Sequence, residues 1–394
     1  MQNCVCNDMV RAKMRIAIDA SNLRAGGGVS HLVELLKTAD PIRDRFDHIT
    51  IFGPSATLEQ LRSDVEWLTL VCHPWLDMSL PFRTTWRRLI LPSLLNGNFD
   101  ILFSPGGILA PTELPRVTMC RNMLPFDKIE KARYRVSLQR ARIEILRRLQ
   151  SRAFAEAEGV IFLTEFAKTS VLDQMSRPPK SCVVVPHGIA PRFSCAARII
   201  RNIEDCTASD PFRLLYVSTV SPYKHQWHVV AAVAALQAEG FRVSLDIVGG
   251  GEPASIARLE NEMKRHPDTD ITYHGKVSFD EIHRHYHQSD GFIFASTCEN
   301  MPNILLEAMA AGLPIICSEK RPMPDILGDA GCYVNPESPK QLALALKRFI
   351  NEPDKRLAWS VAGARRAMEF TVERCAEETF SYLRDIYRTW RDPN

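Results

Sequence analysis

The sequence predicts an α/β protein made of two doubly wound domains, each with a parallel sheet covered by helices on both faces. Three observations lead there. Short apolar runs bounded by glycine or proline alternate with helix-period segments along nearly the whole chain, as parallel strands joined by crossover helices require. The alternation is interrupted once, over 191–211, where periodicity is weak. Glycine clusters directly follow strand-like runs, at Gly26-Gly27-Gly28 and Gly249-Gly250-Gly251. In open sheets of this kind ligands bind beyond the carboxyl ends of the strands, so both domains are expected to face a cleft with their functional loops.

In chain order, the expected strands of the first half are Arg15–Asp19, Ile49–Phe52, Leu68–Cys72, Asp100–Phe103, Val117–Met119, Val160–Leu163 and Cys182–Val185, with a helix over Val29–Leu36. Those of the second half are Arg213–Val217, Val243–Val248, Ile271–Tyr273, Gly291–Ala295 and Pro314–Cys317, with helices near 225–239, 254–265, 278–287 and 302–311. A last helix runs from about Val372 to Trp390 and is free to pack back on the first domain. The expected layout is therefore a disordered extension over 1–13, a first domain over 14–190, a linker over 191–211, a second domain over 212–370 and a terminal helix over 371–394.

The 394 residues, 45% apolar and 24% charged, suit two or three globular domains. A net charge of only +3 argues against a nucleic-acid partner. No run approaches the ~18 apolar residues that span a bilayer, and the first ten residues lack the apolar core of a secretory signal, so a cytoplasmic location is expected. Eleven scattered cysteines without CxxC pairs point to free thiols rather than zinc ligands or disulfides. His283, His285 and His287 alternate on a helical stretch, where positions two apart diverge, so no metal face forms and only His283 and His287 are placed to meet.

The most informative stretch is Ser296–Gly312, which holds Glu299 and Glu307 eight positions apart, with Pro302 between them and an alanine-rich apolar run to Gly312. Proline suits a helix start because its missing N–H would be an orphan there. A helix from about Pro302 to Gly312 leaves Glu299 on the preceding loop and Glu307 inside the helix. First-turn amides and the helix dipole favour an anion, while a carboxylate farther along accepts hydrogen bonds from sugar hydroxyls. That layout holds a sugar nucleotide.

These residues resemble the family 4 retaining glycosyltransferases of the GT-B fold, two Rossmann-like domains around a donor cleft. Glu299 to Glu307 matches the family's E-x7-E motif, and Leu306–Pro314 its usual continuation. Tyr216–Lys224 is similar to the donor-domain opening, Val248–Gly251 to the glycine turn after its second strand, Val185–Ile189 to the strand-to-linker segment, and Gly26–Gly28 to the N-terminal loop near the donor phosphates. The resemblance implies that Lys224 contacts the donor diphosphate, that Glu307 holds the ribose hydroxyls, that Glu299 lies near the reacting centre, and that the amides of Asn303, Ile304 and Leu305 meet the phosphate. Gly250 belongs to the donor turn. Two departures stand out. Many relatives carry an arginine five residues before the lysine, where this chain has Thr219, and many carry a His-Asp pair where this chain has Arg121-Asn122. Arg121 is the candidate to replace the missing cation or the missing histidine.

The implied reaction breaks the bond between a sugar's anomeric carbon and a nucleoside diphosphate, so stabilising the charge on the leaving group is the main task. Lys224, the 302–305 amides and the Gly26–Gly28 loop can do this without a metal or other cofactor. The acceptor is expected to be a glycan or a lipid-linked sugar of a surface polysaccharide. Residues 131–152 contain eight Lys/Arg (Lys131, Arg133, Arg135, Arg140, Arg142, Arg147, Arg148, Arg152) against one acid, Glu144, with Leu138, Ala141, Ile145 and Leu149 at helical spacing. Such a helix can lie on the anionic inner face of a membrane, or be an ordinary solvated helix. Two other readings fit the scaffold: a non-catalytic nucleotide-sugar-binding partner, and a nucleotide-sugar epimerase.

Overall fold

The structure, a computed structural model, describes residues 14–24, 26–61, 64–134, 137–195, 198–278 and 280–392. The extension expected to be disordered, and Arg135 of the basic segment, lie outside the described residues. The chain forms two compact units. One comprises the chain up to Arg121, Ala141–Gly188 and the segment from Val372; the other comprises Asn122–Arg140 and Ile189–Thr371.

The first unit is built on seven strands: β1 (Met14–Asp19), β2 (Phe46–Phe52), β3 (Leu68–Val71), β4 (Ile101–Ser104), β5 (Arg116–Met119), β6 (Gly159–Phe162) and β7 (Cys182–Val184). Their order is β3-β2-β1-β4-β5-β6-β7, every neighbouring pair parallel. Ile16, Ala17 and Ile18 of β1 and all four residues of β4 are buried, which is why these strands read as unbroken apolar runs rather than alternations. The helix Val372–Arg391 lays Cys375, Ala376, Thr379, Phe380, Leu383 and Ile386 into this unit along one face. Phe380 meets Phe46 of β2 with ring centroids 5.3 Å apart. Gly159 is small because Tyr382 of the same helix leaves no room: a Cβ there would sit 2.8 Å from the phenol oxygen.

The second unit has six strands: β8 (Phe212–Val217), β9 (Val243–Val248), β10 (Ile271–Gly275), β11 (Gly291–Phe294), β12 (Ile315–Ser318) and β13 (Cys332–Val334). They run parallel in the order β10-β9-β8-β11-β12-β13. In both sheets the first strand in sequence lies inside the sheet, and the order in which strands are added reverses beside it, so β1/β4 and β8/β11 are the switch points where ligand crevices open.

Three features depart from the sequence reading. β13 was not anticipated: it is three residues long and at an edge. The segment Asn122–Arg140, expected in the first domain, belongs with the second unit. Asp127 caps a short helix, Lys128–Arg133, whose Arg133 pairs with Glu130 at 2.8 Å and with Glu337 of the second unit. Finally, the described part of 191–211, expected as the linker, is counted with the second unit and packed within it. Arg198 donates to the carbonyls of Ala311 (3.2 Å), Ser289 and Tyr286 (2.8 Å), and Arg201 pairs with Asp210 at 2.9 Å and Asp290 at 3.2 Å.

Candidate functional site

The parallel second sheet sends the loops after β8, β9 and β11 out of one edge, and the residues singled out by sequence lie on them. After β8 the chain makes a short 3-10 turn, Pro222–Lys224, followed by His225 in the left-handed region (φ 52°). That turn is locked from below. The Tyr216 hydroxyl of β8 donates to the Lys224 carbonyl, and the Tyr223 carbonyl accepts from the Thr297 amide at 2.9 Å. His225 meets the Thr297 hydroxyl at 3.1 Å. The loop after β8 is thus tied to the loop after β11, across the switch point.

On this support Lys224, only 6% exposed, forms an ion pair with Glu299. The ammonium also lies 5.1 Å from the centre of the Phe294 ring and 5.5 Å from that of Tyr223, where aromatic faces favour a cation. The two residues predicted from motifs 75 positions apart are therefore in direct contact.

The helix that follows is Asn303–Ala310, with Pro302 at its N-cap position. At its other end Gly312, with φ 63°, closes a Schellman motif: Gly312 donates to Met309 and Leu313 to Ala308, both at 3.0 Å. Of the three amides expected to face a phosphate, that of Leu305 already donates to the Pro302 carbonyl at 3.0 Å. Those of Asn303 and Ile304 have no acceptor among the described residues, so the anion-binding end is shorter than the sequence suggests. Glu307 accepts a hydrogen bond from the buried Tyr286 hydroxyl at 2.7 Å. Burial pushes its carboxyl up to about 7, against the opposing effects of Tyr286 and of Arg192. Tyr286 and Arg192 were missed by sequence reasoning. The only available sign was a lone tyrosine on the apolar side of a histidine-rich helix.

Behind β9, the glycine turn divides its labour. Gly249 has φ 138°, and a Cβ there would lie 2.0 Å from the Ser218 carbonyl oxygen; at Gly251 a Cβ would lie 2.5 Å from that of Val220. Both must be glycine to let the two loops touch, as the 2.8 Å bond from the Val220 amide to the Gly250 carbonyl shows. Gly250 is different: the nearest atom to a Cβ there is Lys276 Cβ, at 3.7 Å. Gly249→Ala is expected to cost more than ~3 kcal/mol of stability. Gly250→Ala should leave the melting temperature within about a degree of wild type, so any loss of ligand affinity in that variant reports close approach of the ligand. Thr219, exposed beside this turn, accepts at its carbonyl from Gln226 at 3.0 Å.

Gly26, Gly27, Gly28 and Arg121 form a separate group in the first unit. Gly26, with φ 71°, caps the helix Gly27–Lys37. Arg121 donates to the Gly28 carbonyl at 3.1 Å, and a Cβ at Gly28 would come within 3.4 Å of its guanidinium. Burial brings Arg121 down to about 10, with the Cys375 thiol acting the other way. Beside it His31 and His187 share a hydrogen bond at 2.9 Å. Burial first, then Arg121, takes His31 down to about 3; burial, His31 and Arg121 take His187 well below the usual histidine range. Arg121 therefore positions the glycine turn. Between pH 6.5 and about 3 the unfolded chain binds protons that these native histidines refuse, so stability falls as pH drops below 6.5. A His187→Asn variant should show a shallower decline in melting temperature from pH 7 to 5.

Among the described residues no three His, Cys, Asp or Glu side chains are placed to hold a metal ion. His285 turns toward His274, and His283 toward His287, with ring centroids 5.0 and 5.7 Å apart. The nine described cysteines are all free. No helix among the described residues is long and apolar enough to cross a membrane.

Residues 211–352 match the family described as Glycosyl transferases group 1. The chain is 22% identical over 251 residues to the O-antigen chain mannosyltransferase B of Escherichia coli, covering 61% of this chain and 64% of that protein, so it spans just under two thirds of that relative's length. Among solved structures it resembles sucrose-phosphate synthase from Thermosynechococcus elongatus (TM-score 0.74, 17% identity, 95% of this chain and 100% of the other). It also resembles Anabaena HepE in complex with UDP-glucose (TM-score 0.69, 18% identity, 94% of this chain and 100% of the other). The six-stranded sheet with its Lys224–Glu299 pair and Glu307 helix is thus a glycosyl transferases group 1 domain, in a chain with the GT-B fold of glycosyltransferases.

Proposed function

We propose that the chain is a retaining glycosyltransferase that moves a sugar from a nucleoside diphosphate to a glycan or lipid-linked acceptor in surface polysaccharide synthesis. The observation that carries this reading is the contact of Lys224 with Glu299 at the switch point of the second sheet, next to a helix start with amides to spare and one turn above a carboxylate held ready by Tyr286. A diphosphate fits beside Lys224 and the Asn303 and Ile304 amides, with Gly250 allowing close approach. The ribose diol fits Glu307, whose second oxygen is not the one Tyr286 holds. Glu299 keeps the ammonium oriented and puts a carboxylate beside the reacting centre. The charge that builds on the leaving diphosphate then falls on a preorganised cation and fixed dipoles, the role a divalent ion would otherwise fill, and turnover should persist in EDTA. The amide-rich Gly26–Gly28 turn is proposed to meet an anionic group of a substrate.

The HepE complex concerns UDP-glucose, and the bacterial relative is a mannosyltransferase by name; the donor here is proposed only as a nucleotide sugar. A thermal-shift panel of UDP-, GDP-, ADP- and TDP-sugars tests this. One donor class should raise the melting temperature of the wild-type chain. No shift with any of them, at concentrations up to millimolar, contradicts the proposal.

A further inference from the structure

The donor-side loops all come from Ile189–Thr371, yet the second unit also contains Asn122–Arg140, and that segment reaches the same loops. Met123, Pro125 and Phe126 are buried. Asp127 then starts the helix Lys128–Arg133, its carboxylate accepting from the Glu130 amide at 2.9 Å. The end of the helix is tied twice. Arg133 pairs with the buried Glu130 at 2.8 Å and with Glu337, in the loop after β13. That loop leans on the turn that carries Lys224. His228 donates to the Pro336 carbonyl at 3.0 Å and stacks on His225, with ring centroids 5.1 Å apart, and His225 directly follows Lys224.

This anchoring decides where Tyr134 goes. It is the C-cap of the helix, next after Arg133, and half-buried. Burial first, then Glu252, Glu130 and Cys298, push its phenol up to about 12, and Tyr134 in turn acts on Tyr223. These neighbours mark the three loops of the site. The Tyr223 ring lies 5.5 Å from the Lys224 ammonium, Cys298 immediately precedes Glu299, and Glu252 follows the Gly249–Gly251 turn. At neutral pH the phenol keeps its proton and is a donor. The hydrogen bonds of Tyr134 run through its backbone: its amide donates to the Lys131 carbonyl at 3.3 Å, and its carbonyl accepts from the Ser137 hydroxyl at 2.6 Å. Its own hydroxyl has no hydrogen-bond partner among the described residues. A tyrosine so placed offers an apolar ring and one idle donor beside the reacting centre.

We propose that Tyr134 contacts the sugar and β-phosphate end of the nucleotide-sugar donor, its hydroxyl donating to an oxygen there, and that the Arg133–Glu337 pair is the latch that positions it. The proposal rests on the nucleotide-sugar reading and adds to it a residue from outside Ile189–Thr371. Glu307 serves the nucleoside end, so the choice of ligand separates the two contacts. Titration calorimetry is run on wild type, Tyr134→Phe, Tyr134→Ala, Glu337→Ala, Glu337→Gln and Tyr134→Ala/Glu337→Ala. The probe is the UDP-, GDP-, ADP- or TDP-sugar that stabilises the wild-type chain, with its nucleoside monophosphate as control. Tyr134→Phe should weaken the nucleotide sugar by about 3- to 10-fold and Tyr134→Ala by about 10- to 30-fold. The monophosphate should bind all variants within about twofold of wild type, because it lacks the end that Tyr134 meets. Glu337→Ala should lose about 3- to 5-fold, and Glu337→Gln, which keeps an acceptor for Arg133, less than about twofold. In the Tyr134→Ala background Glu337→Ala should cost nothing more, since it acts through the tyrosine. An exposed ion pair adds little stability, so the Glu337 variants should melt within about 3 °C of wild type. Tyr134→Phe keeps the ring and its packing, and decides the matter if Tyr134→Ala melts early. The proposal is overturned if Tyr134→Phe binds the nucleotide sugar like wild type, or if the monophosphate is weakened equally. It is overturned too if the Glu337 and Tyr134 losses multiply, which would put Glu337 to work elsewhere. A wild-type chain that binds no member of the panel removes the donor reading and this proposal together; a donor bound without regard to Tyr134 removes this one alone.

Discussion

Lys224→Ala is expected to lower kcat/KM for sugar transfer by about 10²- to 10³-fold, the usual cost of deleting one preorganised group that stabilises charge in a transition state. It should also destabilise the second unit, because Glu299 loses its cation while remaining largely out of water. Removing one member of a buried pair costs up to ~3–5 kcal/mol, and the partial exposure of Glu299 brings the expectation down to about 1–3 kcal/mol. The two effects separate in a double-mutant cycle. Lys224→Ala/Glu299→Ala should regain most of the lost stability, since no uncompensated charge is left, yet remain inactive. Melting curves and initial rates on the four proteins decide. A double variant that regains turnover along with stability would make the pair a structural ion pair and nothing more.

Glu307→Gln is expected to strengthen the protein and weaken its grip on the donor. Burial raises the Glu307 carboxyl from 4.5 to about 7, so between those values the native chain holds a proton that the unfolded chain has released. The stabilisation linked to that proton is fully present below pH 4.5 and is lost as pH rises through 7. Above pH 7 the ionised, half-buried carboxylate costs at most about 3 kcal/mol. The variant should melt higher than wild type at pH 8 and close to it at pH 5. Nucleotide-sugar affinity should fall about 10- to 100-fold, the worth of hydrogen bonds from ribose hydroxyls to a charged acceptor. In wild type, affinity should climb as pH rises through 7, and in the variant it should be flat. Scanning calorimetry and titration calorimetry at pH 5, 7 and 8 give both quantities. A variant stabilised at pH 8 with undiminished affinity would show that Glu307 only tolerates burial.

Much of this architecture was legible because parallel strands buried on both faces leave a plain trace. Val243–Val248 could be placed to the residue, and Met14–Asp19 and Phe212–Val217 within one or two. β13 left no such trace, since three edge residues, two of them half-buried, look like a turn. The affiliation of Asn122–Arg140 was hidden for another reason. It depends on Arg133 meeting Glu337, 204 positions away, and nothing local distinguishes that arginine from its neighbours. At the site, Glu299, Glu307 and Lys224 were found through spacing and resemblance, but their energetics were not. The raised Glu307 carboxyl comes from a fold that buries it beside Tyr286. Arg121 was singled out because it stands where the resembling family carries a His-Asp pair; its hydrogen bond to the Gly28 carbonyl, 93 positions away, could not be read from the sequence.

Hydrogen–deuterium exchange of the wild-type chain, with and without a saturating nucleotide sugar, tests the central claim most directly. The Asn303 and Ile304 amides should gain protection together with the Pro222–Lys224 turn and Gly249–Gly251, and Lys224→Ala should erase that pattern. Protection confined to other parts of the second sheet, with 222–224 and 303–304 exchanging as before, would contradict a diphosphate held between the lysine and the helix start.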